Sequence, residues 1–473
     1  MELSTASQPV SKVIAEASPT ETHRLVIFNP AGTAVLLEAH GSEYRLPTVG
    51  VPRFTRVAQE VTAILRDSWN LPSVYLFSGL LEGSQEPTFF SVIESLNGIR
   101  QHPPKTDWFT IYHALSHPLL AAPERRAVKS SFAKSIRRAK PNDPEPFGRL
   151  GWMHDLKFWA RTEMRSFGVE LKDFRQFNAS ETFSLVRFET DQRPVWFKAV
   201  GEPNLHEFEI SLALARLFPG YMPETLATKP EWHGWLMTNG GTQLSEFDDP
   251  AIWKAAITTL GELQVQSINK TEEVKAAECR DLRTKELLDL IEPFFGTMAE
   301  LMRRQPTSPP NILDADEIAE LKAKVKFAIE SMAALGIPDS LGHSDFNPGN
   351  ILIDSDRCTF IDWAEAHLSH PFLTFEYLMA HLKKDYPQLS SFEGDFRAAY
   401  SRSWRLVTSI GQIEETYLFS PLVAIYAYAL AGNAWRDAER LKIPGFEGYL
   451  RSLTRKMKKE ADLLQRRRVT CPN

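Results

Sequence analysis

The sequence predicts an α+β chain of two or three domains, strand-rich over its first half and helix-rich over its second, and three observations lead there. Short apolar runs separated by Asn, Pro and Gly recur between residues 24 and 237, as strands joined by turns do. From Pro250 onward apolar residues recur at helical spacing instead. Inside that helical half, one stretch, LGHSDFNPGNILIDSDRCTFIDWAEA over 341–366, returns to strand character. A chain of 473 residues also exceeds one ordinary core.

Hydrophobic residues at 43% and charged residues at 24% describe a globular protein, and a net charge of −6 gives no general attraction to nucleic acid or an anionic membrane. Cys279, Cys358 and Cys471 are far apart and form no metal-ligand spacing, which suits reduced thiols and a cytoplasmic location. Residues 1–22 lack the basic start and apolar run of a secretory signal and read as a flexible leader. Residues 417–435 carry no charge over nearly the length of a bilayer, but Ser420, Pro421 and Asn433 interrupt them, so a buried bundle helix is expected rather than a membrane span.

Taken in order, residues 24–28 and 33–38 read as a hairpin around Asn29-Pro30-Ala31-Gly32. Residues 53–69 place Phe54, Val57, Val61, Ile64 and Leu65 on one helical face, and 74–81, 88–94 and 108–112 return to strands. A separate small α+β domain over 23–120 follows. Its element order resembles a Nudix fold without the glutamate-rich catalytic box, since the helix offers only Glu60. That resemblance implies a domain without hydrolase activity, used for packing, specificity or dimerisation. Residues 121–146 carry Arg125, Arg126, Lys129, Lys134, Arg137, Arg138 and Lys140 and then a Pro-rich breaker. No aromatic residues alternate with these charges, so an exposed helix and linker are expected rather than a nucleic-acid surface. The domain boundary falls near residue 147.

Beyond it come a helix over 152–167, strands over 173–177, 182–189 and 195–200, and a helix over 205–218 that Pro219-Gly220 stops. This small lobe runs over 147–240. Lys198 stands alone in the apolar run VWFKAV, so its tip needs a counter-charge, and Glu207 and Glu209 on the next helix offer one from different faces. The turn 178–182, NASET, contains no glycine. A short strand at Trp235-Leu236-Met237 runs into Thr238-Asn239-Gly240-Gly241, a sequence suited to a hinge. Helices are then expected over 251–266, 272–295, 315–335, 373–381, 392–409, 414–435 and 449–468, in a helical lobe over 241–473.

Within 341–366, residues 351–353 and 359–361 read as strands joined through Asp354, Ser355 and Asp356, which brings His343, Asp345, Asn350 and Asp362 to one edge of a hairpin. Phosphoryl transfer from a nucleotide needs a carboxylate near the acceptor hydroxyl and two further oxygen ligands that hold magnesium against the phosphates. Asp345 and Asn350 stand five apart, the interval of a kinase catalytic loop, and Asp362 follows where the aspartate of D-F-G would be. Pro348 and Gly349 disfavour a helix through the loop, so a fixed turn is expected.

HSDFNPGNIL followed by FIDW resembles the catalytic signature of the aminoglycoside phosphotransferase and choline kinase type family, with Ser344 where the family form has glycine. The resemblance implies a bilobal protein-kinase-like fold, a small β-rich lobe and a large helical lobe. It implies Asp345 as catalytic base, His343 as a loop-stabilising residue, and Asn350 and Asp362 as ligands of Mg2+. Lys198 would contact the phosphates of ATP and pair with Glu207, because HEFEISLALA matches the family's H-E lead-in, with Glu209 in reserve. Ser180, Met237 and Asn239 would complete the nucleotide site. The implied activity is ATP- and Mg-dependent transfer to a hydroxyl of a small molecule, an aminoglycoside, amino alcohol or sugar-like acceptor. Glu365, His370 and Glu376 are candidates for the acceptor pocket, which would suit a cationic acceptor. The other reading is a catalytically idle nucleotide-binding regulatory module, motivated by the glycine-free turn and the extra first domain.

Overall fold

The computed structural model describes residues 20–81, 88–96, 105–118, 120–138, 140, 143–355 and 357–470. They fall into two compact units, one formed by residues 20–208 with Glu224–Asn239, the other by Glu209–Pro223 with residues 240–470.

In the first unit, strand β1 (Thr20–Phe28) turns Leu25 and Ile27 to one face and Val26 and Phe28 to the other, all fully buried, so its sheet is covered on both sides. Strands β2 (Ala34–His40), β3 (Glu43–Arg45), β4 (Thr48–Pro52), β5 (Ser73–Leu80), β6 (Phe89–Ser95) and β7 (Thr106–Thr110) complete seven strands in the order β3-β2-β1-β6-β5, with β4 on β1 and β7 on β2. The β1–β2 hairpin forms as expected, with Phe28 opposite Val35. Helix α1 (Val57–Trp69) covers the Leu25 face with Ala58, Val61 and Leu65. It begins later than residue 53 because Phe54 sits at φ 64, outside the helical region, and is exposed.

The opposite face is where the expected domain boundary disappears. Helices α2 (Ile111–Ser116), α3 (Ala122–Ser135) and α4 (Trp152–Arg165) lead into a second sheet of β8 (Leu171–Ala179), β9 (Ser184–Thr190), β10 (Val195–Ala199), β11 (Thr225–Lys229) and β12 (Gly234–Thr238), ordered β11-β12-β10-β9-β8. One core joins Val26, Phe28 and Val35 of the first sheet to Val128, Trp152, Val186 and Phe197. The separate domain over 23–120 and the linker within 121–146 are therefore corrected, while the helix expected there is present as α3. Helix α3 buries Ala127 and Val128, and Phe147, at the expected boundary, is itself fully buried. The leader is corrected at its end, since β1 starts at Thr20; residues 1–19 lie outside the described residues.

Helix α5 (His206–Leu217) passes from the first unit to the second. There the chain is mostly helical: α6 (Pro250–Ser267), α7 (Thr271–Ala276), α8 (Thr284–Asp289), α9 (Ile291–Arg303), α10 (Ala315–Ala334), α11 (Phe372–Asp385), α12 (Glu393–Trp404), α13 (Ile410–Ala429), α14 (Ala438–Leu441) and α15 (Phe446–Thr470). The single helix expected over 272–295 is broken. Glu278 takes φ 64, and β14 (Arg280–Asp281) leaves the helical path to pair in parallel with β18 (Ala366–Ser369). Strand β15 (Ser340–His343) lies on the other side of β18. The predicted hairpin is present as β16 (Ile351–Asp354) and β17 (Arg357–Phe360), with Ile351 opposite Phe360 and β13 (Thr242–Gln243) on its edge. Gly241, at φ 108, is required there, because a Cβ would lie 2.0 Å from the Ile353 carbonyl oxygen. Of the uncharged stretch 417–435, residues to Ala429 form the largely buried second half of α13; the helix expected to run to 435 ends there, because Gly432 and Asn433 take positive φ in the 3-10 turn that follows. No described helix is long and apolar enough to cross a membrane.

Candidate active site

In the second unit β15 delivers the chain to a loop and β16–β17 takes it away, so the loop is anchored at both ends. As Pro348 and Gly349 lead one to expect, it holds a single 3-10 turn, Pro348–Asn350, with the Asn347 side chain accepting the Gly349 N–H at 2.8 Å. His343 stitches the loop. Its Nε2 bonds the Ile361 carbonyl at 3.1 Å and its Nδ1 accepts the Asp345 N–H at 3.1 Å, which sets the proton on Nε2. One buried ring thus ties the backbone of Asp345 to the residue before Asp362.

The Asp345 carboxylate accepts bonds from Asn347 Nδ2 at 3.1 Å, Asn350 Nδ2 at 3.2 Å and the Tyr377 hydroxyl at 3.2 Å. Burial raises its pKa above the ordinary carboxylate range and the negative charge of Asp362 adds to this, while the bonds from Asn347 and Tyr377 act the other way. Asp362 itself sits in the left-handed region at φ 68, ψ 53. Asn350 turns its amide nitrogen to Asp345, with a second bond to the Asp345 carbonyl at 2.9 Å, which leaves its amide oxygen as the atom suited to a cation. Among the described residues no group of three His, Cys, Asp or Glu could hold a metal alone.

Ser344, the departure from the family's glycine, is accommodated. Its N–H donates to the Glu365 carbonyl, and its hydroxyl lies 3.1 Å from Nδ1 of His367, a ring that burial holds neutral by lowering its pKa to about 4. Two of the three acceptor-pocket candidates are corrected. Glu376 is buried and receives both terminal nitrogens of Arg397, at 2.7 and 3.1 Å, and the Ser420 hydroxyl at 3.0 Å. His370 is buried, lowered to about 3 by desolvation, and accepts the Phe372 N–H. Only Glu365 remains half-buried, near the Arg280 guanidinium.

Tyr377 was not legible in the motif. It lies 32 residues beyond Asp345, on α11, three positions after Thr374, whose hydroxyl accepts the His343 N–H at 3.0 Å. The i, i+3 spacing puts both polar groups on one face of the helix, and that is the signal that could have found them. Burial pushes the Tyr377 phenol well up, so it stays a donor. Replacing Tyr377 by Phe is expected to lower kcat by about tenfold, the value of a lost bond to a charged group, with MgATP affinity held; steady-state kinetics beside nucleotide calorimetry check this.

In the first unit Lys198 pairs with Glu207, which is buried, whereas Glu209 is exposed, so the structure selects between them. Ser180 closes its own turn by accepting the N–H groups of Thr182 at 3.1 Å and Phe183 at 3.2 Å. Asn239 accepts Trp196 Nε1 at 3.0 Å, and Met237 lies on β12 opposite Trp196.

Residues 173–407 match the model of the phosphotransferase enzyme family. No curated protein sequence matches the chain. Among solved structures it is similar to an ethanolamine kinase from Plasmodium vivax (14% identity, TM-score 0.44, covering 70% of this chain and 96% of that one). It is also similar to a choline kinase from Cryptosporidium parvum (13%, TM-score 0.46, 67% and 97%) and to a macrolide 2'-phosphotransferase from Brachybacterium faecium (12%, TM-score 0.40, 63% and 98%).

Proposed function

We propose that this chain, whose residues 173–407 match the model of the phosphotransferase enzyme family, transfers the γ-phosphoryl group of ATP, with Mg2+, to a hydroxyl of a small molecule. The observation that carries this reading is the half-buried Asp345 carboxylate, raised in pKa and held by three donors beside a second carboxylate. A base prepared in this way can orient the acceptor hydroxyl and take its proton as the phosphoryl group moves. Asp362 and the Asn350 amide oxygen fit Mg2+, which takes one or two protein oxygens and completes its shell with phosphate and water. Bound there, the ion would supply positive charge to the phosphates. Lys198, steadied by buried Glu207, would offset phosphate charge in the same reaction.

The acceptor class is an aminoglycoside, amino alcohol or sugar-like alcohol. A cationic preference draws no support from Glu376, which is spent on Arg397. No observation favours the idle module over this reading. The test follows label from γ-phosphate-labelled ATP into a pooled metabolite extract with magnesium. A labelled product made by the native protein and not by Asp345→Asn is expected. Bound MgATP with no labelled product from any extract would sink the reading.

A further inference from the structure

We propose that the chain before residue 147 is a brace for the turn 178–182, the turn that would face the phosphates of the nucleotide; the proposal rests on the phosphotransferase reading above. Phosphate-binding turns commonly use glycine so that backbone N–H groups can approach the ligand. NASET has none, and in its place the turn is held from outside by three attachments.

The first is on the strand that feeds the turn. Gln176 of β8, buried, accepts the Tyr75 N–H at 2.8 Å and donates to the Tyr75 carbonyl at 2.9 Å, so its side chain joins β8 to β5 of the first sheet as a backbone pairing would. The second is apolar. Ala179 is buried in the same core as Val61 and Leu65 of α1. The third grips the tip. The Glu181 carbonyl accepts the Phe147 N–H at 3.2 Å, its carboxylate pairs with Lys134 of α3, and that ammonium lies 5.1 Å from the centroid of the Phe77 ring on β5. Gly148 lies close beside it, since a Cβ there would come within 3.2 Å of Glu181 Cγ.

Ser180 closes the turn from within, and these contacts fix where the closed turn sits. An ordinary hairpin tip needs no such support. A preorganised turn avoids the ordering cost that a loose one would pay when phosphates bind. The first sheet and α3 thereby set nucleotide affinity, although they lie outside the family's matched span of 173–407. Lys134 is accordingly a positioning residue.

The experiment uses the full chain, with MgATP calorimetry and amide hydrogen exchange on the native protein, on Lys134→Met and on the charge-swapped pair Lys134→Glu with Glu181→Lys. Lys134→Met is expected to weaken MgATP roughly fivefold, the scale of a partly exposed ion pair. It should speed exchange over 178–182 and leave the acceptor KM where it was, and the swapped pair should recover most of the affinity. Equal MgATP affinity and equal exchange in native protein and Lys134→Met would overturn the brace alone. A swapped pair no better than Lys134→Met would overturn the ion pair as its source. Native protein that binds no MgATP would overturn the nucleotide reading on which the brace depends.

Discussion

Asp345→Asn is expected to reduce phosphoryl transfer by roughly a thousandfold, the middle of the range for a lost general base, while MgATP still binds. The substitution keeps the size of the side chain and the oxygen that accepts from Asn347 and Tyr377, and Asn350 keeps its bond to the backbone carbonyl of residue 345 while losing the one to the second oxygen, so the loop stitched by His343 should survive. It removes the proton acceptor that burial and Asp362 have made more basic than a surface aspartate. The metal and the phosphates are assigned to other residues, Asn350, Asp362 and Lys198, which is why nucleotide affinity should hold. Parallel measurement of turnover and MgATP calorimetry separates the two effects. A comparable loss in both would show that Asp345 acts on binding and would remove it from the role of base.

The second large effect concerns the chain's front half. A fragment starting at residue 147 keeps nearly every residue named in the chemistry, yet it is expected not to fold. Phe147, Trp152, Leu156 and Phe197 share a core with Val26, Phe28, Val35 and Val128. Removing the latter group strips cover from several large apolar side chains at about 1.5–3 kcal/mol each. Against a total stability of about 5–15 kcal/mol, four or five such exposures are enough to unfold the small sheet. Expression of 147–473 should give insoluble protein or a broad, non-cooperative melt by circular dichroism. A soluble fragment with a sharp melt would mean that the two sheets are independent after all.

What could be read from sequence was what is local. Asp345, Asn350 and the hairpin lie within one short stretch, so spacing alone places them on one edge, and Lys198 announced a partner by being charged in an apolar strand. What could not be read depends on residues far apart in the chain. Gln176 bonds Tyr75 across 101 positions, and the core joining the two sheets is built from runs that each look like the inside of a separate domain. Alternating apolar residues reveal that a face is buried but not against what. The same limit misplaced Glu376, since no spacing distinguishes a carboxylate lining a pocket from one paired internally with Arg397. Tyr377 escaped because a lone tyrosine on a largely buried helix is most simply part of its packing.

The left-handed backbone of Asp362 governs how that position can be interrogated by substitution. Most L-residues there incur about 1–2 kcal/mol of steric strain, so an alanine would remove the proposed ligand and distort the chain end of the hairpin at once. Asparagine tolerates this conformation nearly as well as any side chain apart from glycine, so it alone subtracts the charge and leaves the main chain in place. Inactivity after an arbitrary replacement at this site would therefore be ambiguous between lost chemistry and a bent hairpin. The backbone torsion, more than the identity of the neighbours, dictates which variant is informative.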